Sequence, residues 1–481
     1  MPPKLALAVS IVFILFVFYM EWRRTPEVSR AIILPFVWYG ISASRPIGVW
    51  LTIWGFPLTS GFVDPTEGSF IDRWFLTVLI IIGVIILSRR QCEWNRIVKE
   101  NKWLLALFIF MAFSILWSDY PMVSFKRFIK SVGTVVMVLI VLTETKPTEA
   151  VCTVIRRCAY FFVPLSIVTV RYFRQVGINW DWAGKAESWI GIATSKNTLG
   201  QMAVVSALFF IWNFFTSYHR AEGKAIDLIY IVMSLYLLKG SDDAVSMTSF
   251  VLLFFAIAML VIFQLLKGNI GRIRSVSIST LFMILIALVS VIGLSVGSSQ
   301  EDSLLKTIIM SMDRDPTLTG RTEIWRDVFD IASRNPLLGV GFGGFWIGSL
   351  VNVPWSADMT WVLGQAHNGY VDIYLQLGWI GILLFTGVVF SSMSQIMKSS
   401  FLDIEYGIFR MIMFLIILFM NITESTFLRG MHAMWFIFLL VILTVPSRSN
   451  NSKLDSKVSR GMAKSRREFA EDVRADQMLS L

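Results

Sequence analysis

Charge is scarce in this sequence: Asp, Glu, Lys and Arg make up 16% of its 481 residues, against roughly a quarter in soluble domains. That shortage excludes a string of water-soluble domains. Cysteine and histidine are scarcer still, at three each. Cys92, Cys152 and Cys158 form neither a disulfide framework nor a metal-spaced cluster. No two of His219, His367 and His432 stand at zinc-ligand spacing, so no metal is assigned. A serine nucleophile elbow and a Walker loop are absent, as are internal repeats. The formal charge of +10 does not point to nucleic acid, because no basic stripe with stacking aromatics occurs on a soluble domain.

What the chain has in quantity is apolar surface: 55% hydrophobic residues and a mean hydropathy of +0.66. This is the composition of an all-α polytopic membrane protein, because a lipid-embedded backbone must satisfy its own hydrogen bonds. At roughly 20 apolar residues per crossing, the hydrophobic runs predict about twelve to fourteen transmembrane helices. Lys4 precedes an apolar run from Leu5 to Met20, followed by Glu21-Trp22-Arg23-Arg24 without a small-residue cleavage site. That run reads as a retained anchor. Residues 31–62 form one long apolar stretch broken by Arg45-Pro46, which leaves open whether it crosses once or twice.

Basic residues resist translocation and so mark cytoplasmic loops. After Pro446 the tail carries Arg448, Lys453, Lys457, Arg460, Lys464, Arg466 and Arg467 against one early acid, Asp455. Counting spans back from that tail puts Arg89 to Lys102, His219 to Lys224 and Lys267 to Arg274 on the same side. Loops 172–195 and 298–367 then fall outside, in the periplasm of a bacterium. The chain divides into membrane helices (1–297), a long outer loop (298–367), further membrane helices (368–446) and a basic tail (447–481) whose composition predicts disorder. Arg171, Arg174, Lys196 and Arg321 are the informative exceptions, since cations kept on the outer side suit a bound anion.

Within the outer loop, Ile324, Trp325, Val328, Phe329, Ile331 and Ala332 recur at helical spacing and end at Asn335-Pro336. They predict an amphipathic helix lying along the membrane surface. Arg321 stands just ahead of it, where the helix dipole adds to the guanidinium in attracting phosphate. Gly339, Gly341 and Gly344 formally satisfy a dinucleotide fingerprint, but no strand precedes them, and they read as positions where backbone passes close to a helix or ligand. Phe342, Phe345 and Trp346 are then expected to touch lipid or sugar. His367 stands at the outer mouth of the next apolar run, near enough to neutrality for proton transfer. Glu424, also toward the outer face, is a rival base or a sugar-binding acid. The Asp242-Asp243 pair reads as a polar turn.

Four segments, Ser195–Gly200, Asp315–Trp325, Asn335–Trp346 and His367–Asp372, closely resemble the O-antigen ligase and Wzy-type polymerase superfamily, in particular its exopolysaccharide-polymerising branch. His367, Asn368, Gly378 and Gly381 satisfy the ligase pattern in full, and the resemblance runs from about residue 30 to 446. It implies a glycosyltransferase of the GT-C type in the bacterial inner membrane, with its active face periplasmic. Its donor would be a glycan on undecaprenyl pyrophosphate, with no cofactor, nucleotide sugar or metal. An acceptor hydroxyl would attack the anomeric carbon with inversion. By motif position, His367 and Arg321 are the implied catalytic residues, and Lys196 stands where ligases typically use arginine. Asn368, Arg171, Arg174 and Glu424 join Lys196 as candidates to bind substrate. Polymerisation of repeat units into exopolysaccharide is the leading expectation, with ligation onto lipid A core next. A transporter or flippase and a structural part of an export complex are the alternatives of a different class. The implied partners are the lipid-linked glycan, the growing polysaccharide acceptor, membrane lipids, a chain-length regulator and export machinery, with no nucleic acid.

Overall fold

A computed structural model describes residues 1–24, 28–56, 69–180, 187–216, 221–241, 246–267, 269–284 apart from 270, 274 and 282, 325–347 apart from 326, 327 and 330, 364–399 and 403–446. Arg321, His219, the Asp242-Asp243 pair and the basic tail lie outside the described residues. The fold is a bundle of helices: α1 (Pro3–Arg24), α2 (Ile33–Ala43), α3 (Ile47–Ile53), α4 (Phe70–Arg89), α5 (Trp94–Glu100), α6 (Lys102–Ser114), α7 (Pro121–Leu142), α8 (Pro147–Tyr172), α9 (Arg174–Gly177), α10 (Lys196–Thr216), α11 (Ala221–Lys239), α12 (Met247–Leu265), α13 (Gly369–Ser399), α14 (Ile404–Met420) and α15 (Ala433–Ile442). One antiparallel hairpin, β1 (Ile178–Trp180) and β2 (Glu187–Trp189), interrupts it. Among the described residues, six helices are long and apolar enough to cross a membrane, and eight if each of two bent pairs counts as one crossing. The chain is an all-α polytopic membrane protein. Its most buried elements are α10, α14 and α15, whose side chains are almost all inside, while α1 and α4 turn Val12, Leu15, Trp74 and Ile81 outward onto what is lipid in the membrane.

Polar contacts sort the helix ends into two faces. On one, Glu144 accepts from the Ser29 backbone N–H (3.2 Å), the Ser29 hydroxyl (2.6 Å) and Arg90, and Asn101 exchanges hydrogen bonds with the Thr444 backbone (2.8 and 3.1 Å). On the other, Arg45 donates to the carbonyls of Ala193 (3.1 Å) and Val176 (2.5 Å). The stretch from 31 to 62, left open by its sequence, now has a direction. It leaves the Arg90 face at Ser29 and reaches the opposite face at Arg45, where α3 turns off at 66°. There the Gly48 N–H donates to Asp72 Oδ1 (3.0 Å), and the box of Ser69 and Asp72 starts α4 back toward Arg90. The described part therefore crosses once. Helix α1 runs antiparallel to α8, since Glu21 pairs with Arg157 (2.9 Å) while Phe18 meets Tyr160. Its Pro3 end thus belongs to the Arg45 face.

Helix α13 is broken at Gly378, which has φ +62°. The glycine loop fills the break: Val340 and Gly341 donate to the carbonyls of Leu375 (3.1 Å) and Gln376 (3.0 Å), while Trp379 donates to Pro336 (2.9 Å). A Cβ on Gly378 would fall onto the Leu337 carbonyl, and one on Gly339 would stand 2.5 Å from the Gln376 carbonyl carbon. These glycines do let backbone approach a helix. Two expectations fail here. Phe342, Phe345 and Trp346 touch neither lipid nor sugar; they are 2%, 0% and 6% exposed. The described apolar positions of the 324–332 segment likewise avoid the membrane surface, since Trp325, Val328 and Ala332 bury themselves against Trp346, Ala366, Val371 and Leu375. The loop's apolar side chains find a protein partner at the head of α13, which periodicity alone could not reveal.

Candidate active site

Among the described residues only two non-glycines have positive φ, His367 (+50°) and Leu428 (+57°). Each costs about 1–2 kcal/mol in this conformation, so the surroundings must impose it. They do so with backbone bonds on both sides of His367. The Ala366 N–H donates to Asp372 Oδ1 (3.2 Å), and its carbonyl accepts from Trp325 Nε1 (2.6 Å). The Asn368 N–H donates to Ser425 Oγ (3.0 Å), and the Gly369 N–H reaches the carbonyls of Asn421 (2.8 Å) and Glu424 (3.0 Å). Gly369 has to be glycine, because a Cβ would collide with Asn421 Oδ1. Asn421 Oδ1 in turn accepts from the N–H groups of Thr426 (2.9 Å) and Phe427 (3.2 Å), which closes the turn between α14 and α15 around Glu424.

The result is a convergence of three chain segments. Asn197 Nδ2, in the first turn of α10, donates to Glu424 Oε1 (2.7 Å). Glu424 Oε2 lies 3.9 Å from His367 Nδ1, an electrostatic contact too long for a hydrogen bond. Gln365 Nε2 is 3.2 Å from the same ring nitrogen. Among the described residues, the contacts of the His367 ring are made at Nδ1. As placed, the Gln365 amide N–H donates to Nδ1 and leaves the proton on Nε2; with that amide turned end for end, its oxygen and the Glu424 carboxylate both favour a proton on Nδ1, and Nε2 becomes the accepting atom. Glu424 is buried and His367 about one-fifth exposed, so the imidazole is reachable while the carboxylate beside it is covered. Lys196, exposed at the first position of α10, adds a cation beside Asn197.

The remaining predicted residues are distributed differently. Asn368 is fully buried, and its Oδ1 accepts from the N–H groups of Tyr370 (3.0 Å) and Val371 (3.2 Å), which makes it the cap of α13. Its Nδ2 is buried with no hydrogen-bond partner among the described residues. Arg174 is held by both oxygens of Glu187 (2.8 Å each), and Arg171 stacks on the rings of Trp189 and Tyr236. Neither is brought into contact with His367. His432 caps α15 by accepting from the Met434 N–H (3.2 Å).

Four residues emerge that sequence reasoning did not select. Asn197 stood inside the Ser-Lys-Asn segment already singled out. Asp372, five residues after His367, is 2% exposed and gathers Trp346 Nε1 (2.9 Å), the Ala366 N–H and Arg429 Nη2 (3.2 Å). Arg429 also donates to the Gly364 carbonyl (3.1 Å). Arg45 fixes the loop that leads into Lys196. Its signal was an arginine inside an apolar run, where an ionisable residue is rarely accidental.

Residues 229–386 match the O-antigen ligase family, the stretch that holds His367, Asn368, the glycine loop and the α13 break. Over 292 residues the chain is 24% identical to the exopolysaccharide production protein ExoQ of Rhizobium meliloti (strain 1021), covering 60% of this chain. The chain thus carries an O-antigen ligase match across 229–386. Its likeness is to the exopolysaccharide side of that group, and the match spans 63% of the length of that relative. Lys196, Asn197 and Glu424 lie outside the ligase match, so the site joins ligase-region residues to partners from flanking helices. Among the described residues, no group of three His, Cys, Asp or Glu side chains comes together as a metal site would need.

Proposed function

We propose that the protein polymerises undecaprenyl-pyrophosphate-linked oligosaccharide repeat units into exopolysaccharide at the periplasmic face of the inner membrane. The observation that carries this reading is the Asn197–Glu424–His367 arrangement beside Lys196. A proton acceptor and a cation stand together at the end of the bundle opposite Arg90.

The reaction needs both. A hydroxyl oxygen of the acceptor glycan forms a bond to the anomeric carbon of the donor as the bond from that carbon to the lipid pyrophosphate breaks. The hydroxyl proton passes to His367 Nε2, with Glu424 compensating the charge that develops on the ring. The leaving pyrophosphate gathers negative charge, which Lys196 and Arg321 stabilise. Attack from the face opposite the leaving group inverts the anomeric centre, and neither step calls on a metal or cofactor. A chain-length regulator and export machinery are the partners this role implies.

The test is the polysaccharide of a deletion strain complemented with wild type, His367→Ala or Arg321→Ala, together with turnover of lipid-linked repeat units by purified protein in detergent. Wild type restores high-molecular-weight polymer, and each variant loses it at normal expression. A deletion strain that keeps its polymer but loses the lipopolysaccharide ladder would overturn polymerisation in favour of ligation. Chain extension in detergent, with no gradient, would set aside a transporter.

A further inference from the structure

Beside the site lies a surface with different chemistry. In the hairpin, Ile178 pairs with Trp189 and Trp180 with Glu187. Opposed residues and alternate positions share a face of a sheet, so Trp180, Glu187 and Trp189 stand together on one side. Two arginines from the α8–α9 corner complete it. The Arg174 guanidinium lies 5.7 Å from the Trp180 ring centre while both carboxylate oxygens of Glu187 hold it. The Arg171 guanidinium lies 5.6 Å from the ring of Trp189 and 5.2 Å from that of Tyr236. Trp180 is 47% exposed, and both arginines are exposed.

Indole faces alternating with planar hydrogen-bonding groups match the two sides of a pyranose ring. Its axial C–H face is apolar and stacks on an aromatic ring, while its equatorial hydroxyls need donors and acceptors at the ring edge. A tryptophan that merely seats a protein in the bilayer keeps other company: Trp74 lies on the outward face of α4 with Phe70, Val78 and Ile81. The hairpin is also tied to the site. Ile190 and Gly191 donate to the Gly177 carbonyl (2.9 Å each), Arg45 clamps Val176 and Ala193, and the Ile190–Ser195 loop runs directly into Lys196.

We propose that the α8–α9 corner and the β1–β2 hairpin form a second carbohydrate-binding surface, which holds sugar rings of the glycan chain next to the site where bonds are made. Arg171 and Arg174 then grip sugar hydroxyls in place of pyrophosphate. This rests on the reading of the protein as a glycan polymerase, and its test is kept separate from turnover. Oligosaccharide fragments released by mild acid from the strain's own exopolysaccharide are titrated against the full-length protein in detergent by calorimetry. Trp180→Ala weakens fragment binding about three- to tenfold, and Trp180→Phe restores most of it. Cells carrying Trp180→Ala make shorter polymer at near-normal rates of unit consumption. Equal fragment affinity in wild type and Trp180→Ala would overturn the proposal, as would an equal loss in Trp74→Ala, which would make the effect one of membrane seating. A protein that binds fragments through Trp180 yet never extends a chain would sink the polymerase reading and leave the surface standing.

Discussion

At the residue scale, His367 and Glu424 divide the work of one proton transfer, and their substitutions should differ in size. His367→Ala removes the acceptor itself and should lower turnover of lipid-linked units by about 10²- to 10⁴-fold. Glu424→Gln keeps a partner for Asn197 but removes the charge facing the imidazole. A unit charge about 4 Å away contributes between about 1 kcal/mol in water and about 4 kcal/mol near a protein surface, so the loss should be about ten- to a hundredfold. Equal losses in the two variants, measured by single-turnover assay in detergent, would make Glu424 the base. Much of this centre was legible beforehand, because His367, Lys196 and Glu424 each broke a local expectation: a lone histidine, an outward cation, an acid beside an apolar run. Asn197 and Asp372 were not selected because nothing in a one-dimensional pattern says which buried carboxylate an amide will meet. Asn368 shows the opposite difficulty. The same residue type serves a helix cap and a sugar contact, and only its two bonds to the first turn of α13 reveal the capping role.

At the element scale, the break in α13 is the joint on which the site depends. Its lower part belongs to the bundle, its upper part carries Asn368, Tyr370 and Asp372, and the loop 335–344 holds the two together through backbone bonds made at the break. Gly378→Ala should be severe, since φ +62° alone costs a side chain about 1–2 kcal/mol and the methyl also displaces the Leu337 carbonyl. Thermal unfolding in detergent should fall by several degrees, while Gly40→Ala, where a Cβ meets nothing within 4 Å, should be silent. Trp346→Ala empties a packed position and removes one of the two donors to Asp372 Oδ1, for an expected cost of about 3–5 kcal/mol. The glycine spacing made close backbone approach readable, and the helix periods were readable too. The destination of the loop's aromatics was not. Apolar periodicity reports that a face will be covered, and bilayer, sugar and protein are equivalent to it.

At the scale of the whole molecule, the two faces carry different tasks, and the native cysteines can test which way they point. The Arg90 face gathers Arg89, Arg96, Lys99, Lys102, Lys146, Lys267 and Lys398, the accumulation expected of a cytoplasmic side. On the His367 face Arg45 rests on carbonyls, Arg174 on Glu187 and Arg429 on Asp372, while Lys196 and Arg73 are exposed. Loop charge grouped Arg89–Lys102 with Lys267, and the helix contacts put both at one end of the bundle; in the stretch from 31 the bend at Arg45-Pro46 hid that the described part, to residue 56, crosses once. Cys92 is partly exposed on the Arg90 face, while Cys152 and Cys158 are buried. A membrane-impermeant maleimide should therefore label the native protein at Cys92 in inside-out vesicles and leave it untouched in intact spheroplasts. Gln365→Cys, beside His367 on the opposite face, should show the reverse pattern in a Cys92→Ser background. Labelling of both positions from one side would contradict the separation of the faces by the length of a helix of about 20 residues, or roughly 30 Å. Reversed labelling would place the His367 site in the cytoplasm, where a lipid-linked glycan on the outer leaflet could not reach it.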